Sequence, residues 1–369
     1  MSQSVGLVLF AGGERGAHPL LLAMRRIRQA CARDALERAL KTQRYAPLIV
    51  VTDDAEWAAT LGDLPVSIDL DAPERPFHFG RRLAQIVEQY HLLKFLYLGA
   101  AACPLLAVDQ FQLIAETLHS ADRLVIANNI HSTDWAAVAP AAIIADWVDR
   151  LGTDNGLGWV LSADAGVPPM TWPVSPATRL DIDVPIDAQI AALHPACGPN
   201  LRRVMADVAW QTNRLQAARD VIGTRASRLA LIGRVPSWAW AQLEKSAQCW
   251  TRVFSEERGM RAAGRLGAGQ VRSLLNDHLT AVGLSKFVDE LASMNDAILW
   301  DTRVLWAARG LWPSEIDRYA AVLGLVDNIE DPFMRDFTQA INDAPIPIVT
   351  GGHALVSGGL WALLDSMSA

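Results

Sequence analysis

The first 200 residues alternate between short apolar runs and longer segments that carry apolar residues on one helical face. Short apolar runs predict buried strands, and the longer amphipathic segments predict helices. Such alternation is typical of a mostly parallel sheet with crossover helices, so we predict an α/β fold. The predicted strands are 5–10, 48–51, 66–70, 95–98, 124–127 and 136–139, and the predicted helices are about 20–36, 80–91 and 109–119.

The pattern changes near residue 200, where a segment rich in Pro and Gly occupies 195–200. After it the strand signals stop and segments with helical periodicity follow, such as 285–294 and 297–308. A late apolar run at 346–349 interrupts that periodicity. We therefore predict two domains, which are an α/β domain at 1–197 and a mainly helical domain at 198–369.

Composition and charge exclude several classes of protein. Of 369 residues, 51% are hydrophobic and 20% are charged, which excludes disorder, collagen and coiled coil. The net charge is -7, and the first 200 residues carry the acidic excess, with 15 basic and 22 acidic side chains, whereas eight of the thirteen Trp follow residue 200. An acidic chain without a basic stripe is a poor candidate for duplex nucleic acid or an anionic membrane, so we expect neither partner.

The cysteines and the apolar stretches bear on the cellular compartment. Cys31, Cys103, Cys197 and Cys249 lie far apart without metal-ligand spacing, which argues against a disulfide framework or a zinc site. The first residues lack the pattern of a signal peptide, and apolar stretches fall short of the roughly 18 residues of a spanning helix. We expect a soluble cytoplasmic protein.

A glycine-rich turn joins the first predicted strand to the first predicted helix. Glycine lets backbone N–H groups approach a phosphate closely, and the N-terminus of a helix adds a favourable dipole. The turn matches neither G-x-G-x-x-G nor the Walker pattern, and a tight turn without a ligand explains a glycine pair equally well. The candidate nucleotide-binding residues are Ala11, Gly12, Gly13, Glu14 and Gly16.

The segment that follows the turn is strongly basic. Arg15 and Arg25 are our candidates for neutralising a phosphate, and the later basic residues are assigned to a solvated helix face. A second candidate is the acidic stretch 181–187, in which Asp181 and Asp183 alternate and so share one face of an extended strand. Paired carboxylates suit a hard divalent cation held together with substrate phosphates, whereas the alternative is a strand end followed by a helix cap at Asp187.

The second domain also contains charged residues in apolar surroundings. Arg303, Arg318 and His353 are candidates for a second anion or substrate pocket, into which the glycines at 351–359 would admit a ligand. The alternative is that these side chains form buried ion pairs and that the glycines allow a close helix crossing, since unpaired buried charge is costly.

Together these segments resemble the molybdopterin-guanylyltransferase-like NTP transferases, a branch of the nucleotide-diphospho-sugar transferase superfamily with the glycosyltransferase-A type of fold. The resemblance covers roughly residues 4–194 and rests on 9–16, 101–106 and 181–190. It implies a three-layer, mostly parallel sheet, a loop that holds a nucleoside triphosphate or sugar nucleotide, and Mg²⁺ bound by Asp181 and Asp183. It also implies transfer of an NMP from an NTP to a small phosphorylated or hydroxyl-bearing acceptor with release of pyrophosphate. The second domain would then cover the acceptor or form the interface of a homodimer.

Two positions depart from the family pattern. Ala102 stands where the family has a metal-binding aspartate, and His18 stands where it has a lysine. Polar residues at other strand ends are candidates for compensation; these are Asp53, Asp54, Asn128, Asn129 and Asp134. Two alternatives therefore stay open. One is a non-catalytic descendant of the fold that binds a nucleotide or sugar nucleotide as a sensor or scaffold, and the other is an active site in the second domain around Arg303 and His353.

Overall fold

The computed structural model describes residues 4–13, 16–71 and 77–368. The chain forms two compact units that interleave along the sequence. The first comprises residues 1–15, 25–178 and 198–201, and the second comprises 16–24, 179–197 and 202–369. The sequence predicts a single boundary at residue 197. In the structure, residues 179–197 belong to the second unit, residues 198–201 belong to the first, and the second unit resumes at residue 202.

Strands and helices alternate through both units. The strands are β1 (Val5–Phe10), β2 (Tyr45–Thr52), β3 (Ser67–Leu70), β4 (Phe95–Gly99), β5 (Leu124–Ala127), β6 (Trp135–Ala139), β7 (Pro169–Thr171), β8 (Arg228–Gly233), β9 (Trp250–Ser255), β10 (Ala297–Asp301) and β11 (Ile348–Gly351). The α-helices are α1 (Pro19–Thr42), α2 (Ala55–Ala59), α3 (Phe79–Gln89), α4 (Val108–His119), α5 (Ile143–Asp146), α6 (Leu157–Trp159), α7 (Pro176–Arg179), α8 (Pro185–Leu193), α9 (Pro199–Val208), α10 (Asn213–Gly223), α11 (Ser237–Ser246), α12 (Leu274–Val282), α13 (Leu284–Met294), α14 (Arg303–Ala308), α15 (Glu315–Leu323), α16 (Pro332–Asp343) and α17 (Gly358–Ser368). Short 3₁₀ turns occupy Val148–Arg150, Asp154–Gly156, Val326–Asn328 and His353–Val356, and a π-helical turn occupies Val160–Asp164.

The first unit is built on a seven-stranded sheet with the strand order β3-β2-β1-β4-β6-β5-β7. All neighbouring strands pair in parallel except β6, which is antiparallel to β4 and to β5. The strand order reverses direction between β1 and β4, since β2 and β3 lie on one side of β1 and the later strands lie on the other. The predicted mostly parallel sheet is therefore confirmed, and β7 is a strand that the apolar pattern did not indicate.

Alternate residues of the central strands point into two apolar layers, one on each face of the sheet. On one face, Leu9 belongs to the same buried cluster as Leu36 of α1 and Phe111 of α4. On the other face, Val8 belongs to a cluster with Leu83 of α3. Because both faces are covered, the strands are apolar on both sides and read as continuous hydrophobic runs. The result is the three-layer arrangement that the sequence predicts.

A buried carboxylate secures the last segment of the first unit. Asp34 of α1 is only 3% exposed. Its oxygens accept hydrogen bonds from the backbone N–H groups of Asn200 and Leu201, both at 3.0 Å, and from Asn200 Nδ2 at 2.8 Å. Gly198 approaches so closely that a Cβ atom there would lie 2.1 Å from the Asp34 carboxyl carbon. The start of α9 is thus attached to the middle of α1.

The second unit contains a sheet that the sequence did not predict. Four strands pair in parallel in the order β11-β10-β8-β9, with helices before and after them in the chain. The predicted end of the strand signals after residue 200 is wrong, and the helix predicted at 297–308 divides into β10 and α14. The helix predicted at 285–294 is confirmed as α13. A fully buried parallel strand and a buried helix both read as apolar runs, which explains the error.

Within the described part of the chain, every helix is too short or too polar to cross a membrane.

Candidate functional site

A cleft of about 450 Å³ lies at the carboxyl ends of β1, β2 and β4. This edge is where the strand order of the first sheet reverses, and ligands of open α/β sheets bind in such crevices. The cleft is lined by Ala11, Gly12, Arg25, Arg28, Gln29, Asp53, Asp54, Ala55, Glu56 and Ala100. The structure therefore brings together the glycine turn and Arg25, two of the features that the sequence singled out.

Hydrogen bonds to β2 hold the glycine turn in place. The Ala11 N–H donates to the Val51 carbonyl at 2.8 Å, and Thr52 Oγ1 donates to the Ala11 carbonyl at 2.5 Å. A Cβ atom on Gly12 would lie 3.0 Å from Asp53 Oδ1, and Gly13 has a φ of +101°. The backbone conformation therefore favours glycine at position 13, while a side chain at position 12 would crowd the Asp53 carboxylate. Gly16 also has a positive φ, whereas Glu14 and Arg15 lie outside the described residues.

Two arginines of α1 contribute the positive charge of the cleft. Arg25 and Arg28 are three residues apart and so lie on the same face of the helix, and both are half-buried. Arg26 is exposed and does not line the cleft. The sequence identified Arg25 but assigned Arg28 to a solvated face. The spacing from Arg25 was the signal that could have found it.

The acidic residues of the cleft have different roles. Asp54 Oδ1 accepts the Trp57 N–H at 2.9 Å and so caps α2, while its Oδ2 accepts from Gln29 Nε2 at 2.8 Å. Asp53 lies against the glycine turn instead. Asp54 therefore stabilises the local structure, and Asp53 lines the cleft beside Gly12.

Ala102, at the position of the family's metal-binding aspartate, is buried and offers no oxygen from its side chain. The remaining polar candidates form hydrogen bonds with residues near them in the sequence. Asn128 Nδ2 donates to Asp134 Oδ2 at 2.6 Å, and the Asp134 N–H donates back to Asn128 Oδ1 at 3.1 Å. Asn129 Oδ1 accepts the His131 N–H at 3.1 Å. His18 Nδ1 accepts the N–H of residue 20 at 3.2 Å, at the start of α1. These contacts are typical of turns and helix starts.

The structure places Asp181 and Asp183 in the second unit, just before α8. Asp183 Oδ2 forms an ion pair with Arg303 Nη2 at 2.9 Å. Burial alone would lower the pKa of Arg303, but the carboxylates of Asp183 and Asp301 raise it above its ordinary value. Within residues 4–13, 16–71 and 77–368, no three His, Cys, Asp or Glu side chains group as metal ligands. The Mg²⁺ role of Asp181 and Asp183 therefore stays a prediction.

Asp187 caps α8, as the alternative interpretation of this segment expected. Its Oδ2 accepts the N–H groups of Asp183 at 3.1 Å and Val184 at 2.9 Å. The side chain is completely buried, and Oδ1 has no hydrogen-bond partner in the described structure. Burial, together with the nearby Asp183 carboxylate, raises the pKa of Asp187 from 3.8 to about 7.

The carboxyl edge of the second sheet also collects charge. Its strand order reverses between β8 and β10, and an ion pair spans that point. Arg234 Nε donates to Asp301 Oδ2 at 2.6 Å, and Arg234 Nη2 donates to Oδ1 at 3.0 Å. Burial acts to raise the pKa of Asp301, but Arg234 offsets it and the pKa is below its ordinary value. His353 faces the same pair, and burial followed by the charge of Arg234 lowers its pKa from 6.5 to about 4.

A second, smaller cavity of about 20 Å³ lies beside that edge. Arg303 and Arg318 both line it, together with Thr338 and Thr350, whereas His353 does not. The structure thus brings two of the three predicted pocket residues together and places His353 near Arg234 and Asp301.

No family model matches the sequence, and no curated protein matches it. Several solved structures are similar to about half of the chain. CMP:2-keto-3-deoxy-manno-octonic acid synthetase complexed with CTP is 14% identical and aligns over 55% of this chain and 99% of its own, with a TM-score of 0.38. A cytidylyltransferase from Leptospira borgpetersenii serovar Hardjo-bovis is 14% identical over 55% of this chain and 94% of its own, with a TM-score of 0.39. The corresponding values for 4-diphosphocytidyl-2C-methyl-D-erythritol synthase are 16%, 51%, 96% and 0.35. This similarity concerns the fold alone.

Proposed function

We propose that the first unit is a nucleotidyltransferase, which binds an NTP–Mg²⁺ complex in the cleft beside Gly12. It would transfer the NMP to a small phosphorylated or hydroxyl-bearing acceptor. The observation that supports this proposal is the composition of the cleft. An exposed glycine turn, two arginines on one helix face and three acidic residues, Asp53, Asp54 and Glu56, meet at the edge where the strand order reverses.

Each group has a role in this chemistry. An oxygen of the acceptor attacks the α-phosphorus of the NTP, and the bond from that phosphorus to the oxygen shared with the β-phosphorus breaks, so that pyrophosphate leaves. A hydroxyl acceptor also releases its proton to water. Arg25 and Arg28 would neutralise the negative charge of the phosphates, and the N–H groups of Gly12 and Gly13 would donate to phosphate oxygens. Magnesium that is bound to phosphates needs only one or two protein carboxylates, and Asp53 is the cleft residue suited to supply one.

A second candidate function is nucleotide binding without turnover. Ala102 favours it, because this position has no side-chain oxygen for a metal ion. The two candidates differ in whether pyrophosphate is released. They share the prediction that a nucleotide binds beside Gly12.

Calorimetry with each of the four NTPs and Mg²⁺ tests the shared prediction. We expect Arg25→Ala to weaken nucleotide binding by about tenfold or more, since a hydrogen bond to a charged group contributes about 1.5–3 kcal/mol. Arg26→Ala is the matched control, because Arg26 is adjacent in sequence but exposed and outside the cleft. Failure of every NTP to bind, or equal losses in the two variants, would refute the proposal.

Pyrophosphate release with a panel of sugar phosphates and other small acceptors then separates the candidates. Release that Asp53→Asn abolishes supports transfer, and binding without release by any acceptor supports the second candidate. Asp183→Asn tests the predicted metal role of Asp183 in the same series. A changed dependence of pyrophosphate release on the Mg²⁺ concentration supports that role, whereas an unchanged dependence leaves Asp183 only its ion pair with Arg303.

A further inference from the structure

We propose that the second unit has its own binding site for an anionic group, a carboxylate or a phosphate, between Arg303 and Arg318. The site lies at the carboxyl edge of the second sheet, where Arg303 follows β10 and Thr350 belongs to β11. It is formed entirely by residues of that unit and is independent of the cleft beside Gly12.

Carboxylates surround Arg303, whereas among the described residues Arg318 has no carboxylate within hydrogen-bond distance. Arg303 has a carboxylate partner, Asp183, and its side chain is only 14% exposed. Arg318 is 18% exposed, and Glu315 Oε1 lies 3.7 Å from its Nη2, which is too far for a hydrogen bond. Burial and the neighbouring charge of Arg303 lower the pKa of Arg318. An oxyanion between the two guanidinium groups would attract both and reduce their repulsion.

Hydrogen-bonding groups around the same cavity lack partners. Arg318 Nε, Thr338 Oγ1 and Thr350 Oγ1 are buried, and none has a hydrogen-bond partner within the described part of the chain. All three residues line the cavity. Leaving a buried polar group unsatisfied is costly, so three such groups at one place require an explanation. Each of them can donate a hydrogen bond, which is what an anion needs.

The dimensions and the lining of the cavity restrict what can enter. A volume of about 20 Å³ is little more than the ~10–15 Å³ that one water molecule requires, so only the terminal oxygen atoms of an anionic group could enter. The rest of the lining is largely apolar and includes Trp306, Phe337 and Ile341. Apolar walls keep water away from the charges and strengthen their attraction for an anion. A bound water could satisfy the hydroxyl groups but would leave the Arg318 guanidinium without a hydrogen-bonded anion.

Methyl NMR of the full chain provides a local readout for this site. The Ile341 methyl group lines the cavity and is buried, and the methyl group of Ile126 in the first sheet serves as the reference. Inorganic phosphate and acetate are titrated separately, with chloride keeping the ionic strength constant. We expect a saturable shift of the Ile341 resonance and none of Ile126. Tighter binding of phosphate identifies a phosphate ligand, and tighter binding of acetate identifies a carboxylate. No shift with either anion overturns the proposal.

Variants test whether the arginines and hydroxyl groups bind the anion. Arg318→Met should weaken binding by about tenfold or more. Arg214→Met is the matched control, because Arg214 is also partly buried on a helix of this unit but donates to Asn342 at 2.6 Å. Arg25→Ala should leave the Ile341 shift unchanged, which separates this proposal from nucleotide binding in the first unit.

Thr350→Val distinguishes a binding role from a structural one. The substitution removes a hydroxyl group that has no hydrogen-bond partner among the described residues, so the melting temperature without anion should stay the same or rise. The affinity for the anion should fall several-fold in the same variant. If Arg318→Met and Thr350→Val fold and retain the affinity of the original chain, the site is not formed by these groups and the proposal is wrong.

Discussion

The buried carboxyl group of Asp187 should make the folded protein lose stability as the pH rises. Its pKa is about 7 in the folded state against an ordinary value of 3.8. Over the range between these values the folded state retains a proton that the unfolded chain has released. The stabilisation is therefore complete below the ordinary pKa and is lost as the pH rises through about 7.

The size of the effect follows from the shift. Each unit of pKa difference corresponds to about 1.4 kcal/mol, so Asp187 removes about 4 kcal/mol of unfolding free energy between pH 4 and pH 8. His353 acts in the opposite direction, because its pKa falls from 6.5 to about 4. Its contribution of about 3 kcal/mol is present above pH 6.5 and is lost as the pH falls through about 4. Between pH 4 and 6.5 the contributions of the two groups nearly cancel, so the unfolding free energy of the original chain changes little with pH through either group.

Asp187→Asn reveals the hidden slope, since an amide oxygen can still accept the two N–H groups at the start of α8 but does not titrate. Urea unfolding followed by tryptophan fluorescence from pH 4 to pH 8 measures the effect. We expect the stability of Asp187→Asn relative to the original chain to increase by about 4 kcal/mol over this range. Asp336→Asn, on the exposed surface of α16, controls for loss of one carboxylate and should show no such trend. Parallel pH profiles for Asp187→Asn and the original chain would refute the reasoning.

Two further predictions concern the carboxyl edge of the second sheet. Gly233 has a φ of +111°, and a Cβ atom there would lie 2.6 Å from the Asp301 carbonyl oxygen, so Gly233→Ala should lower the unfolding free energy by about 2 kcal/mol or more. Gly152→Ala is its control, because no atom lies within 4 Å of the added methyl group, and equal losses in urea unfolding would contradict the prediction. Asp301→Asn should cost about 3 kcal/mol, since it leaves the Arg234 guanidinium without its carboxylate, while NTP binding in calorimetry stays unchanged. A stability equal to that of the original chain would show that this ion pair contributes little.

The sequence predicts the first sheet well because its strands and helices have clearly different patterns. Residues 5–10 form an apolar run with a glycine turn directly after it, and α1 and α3 carry apolar residues at helical spacing. The hydrophobic pattern does not reveal β10 of the second sheet, because β10 is followed by α14 with only Thr302 between them. The strand and the helix therefore merge into one apolar segment, and only tertiary pairing shows where one ends.

Some residues of the candidate sites could be predicted from the sequence, and others could not. Gly12 and Arg25 were predictable, since the turn follows a strand and the arginine lies in the helix after it. The partner of Asp183 was not predictable, because Arg303 is 120 residues further along the chain. The hydroxyl groups around the small cavity also carry no signal in the sequence, because a threonine in an apolar strand or helix looks the same whether or not it has a hydrogen-bond partner.

The attachment of α9 to Asp34 limits how the two units could have been joined during evolution. Recombination that replaced everything after residue 197 would leave every strand of the first sheet intact. It would still remove Asn200 and Leu201, which donate to the buried Asp34 carboxylate. A buried charge without partners costs several kcal/mol, so a new downstream partner would have to bring equivalent donors at the same place. Residues 198–201, the first four after the boundary that the sequence predicts, therefore belong structurally to the first unit.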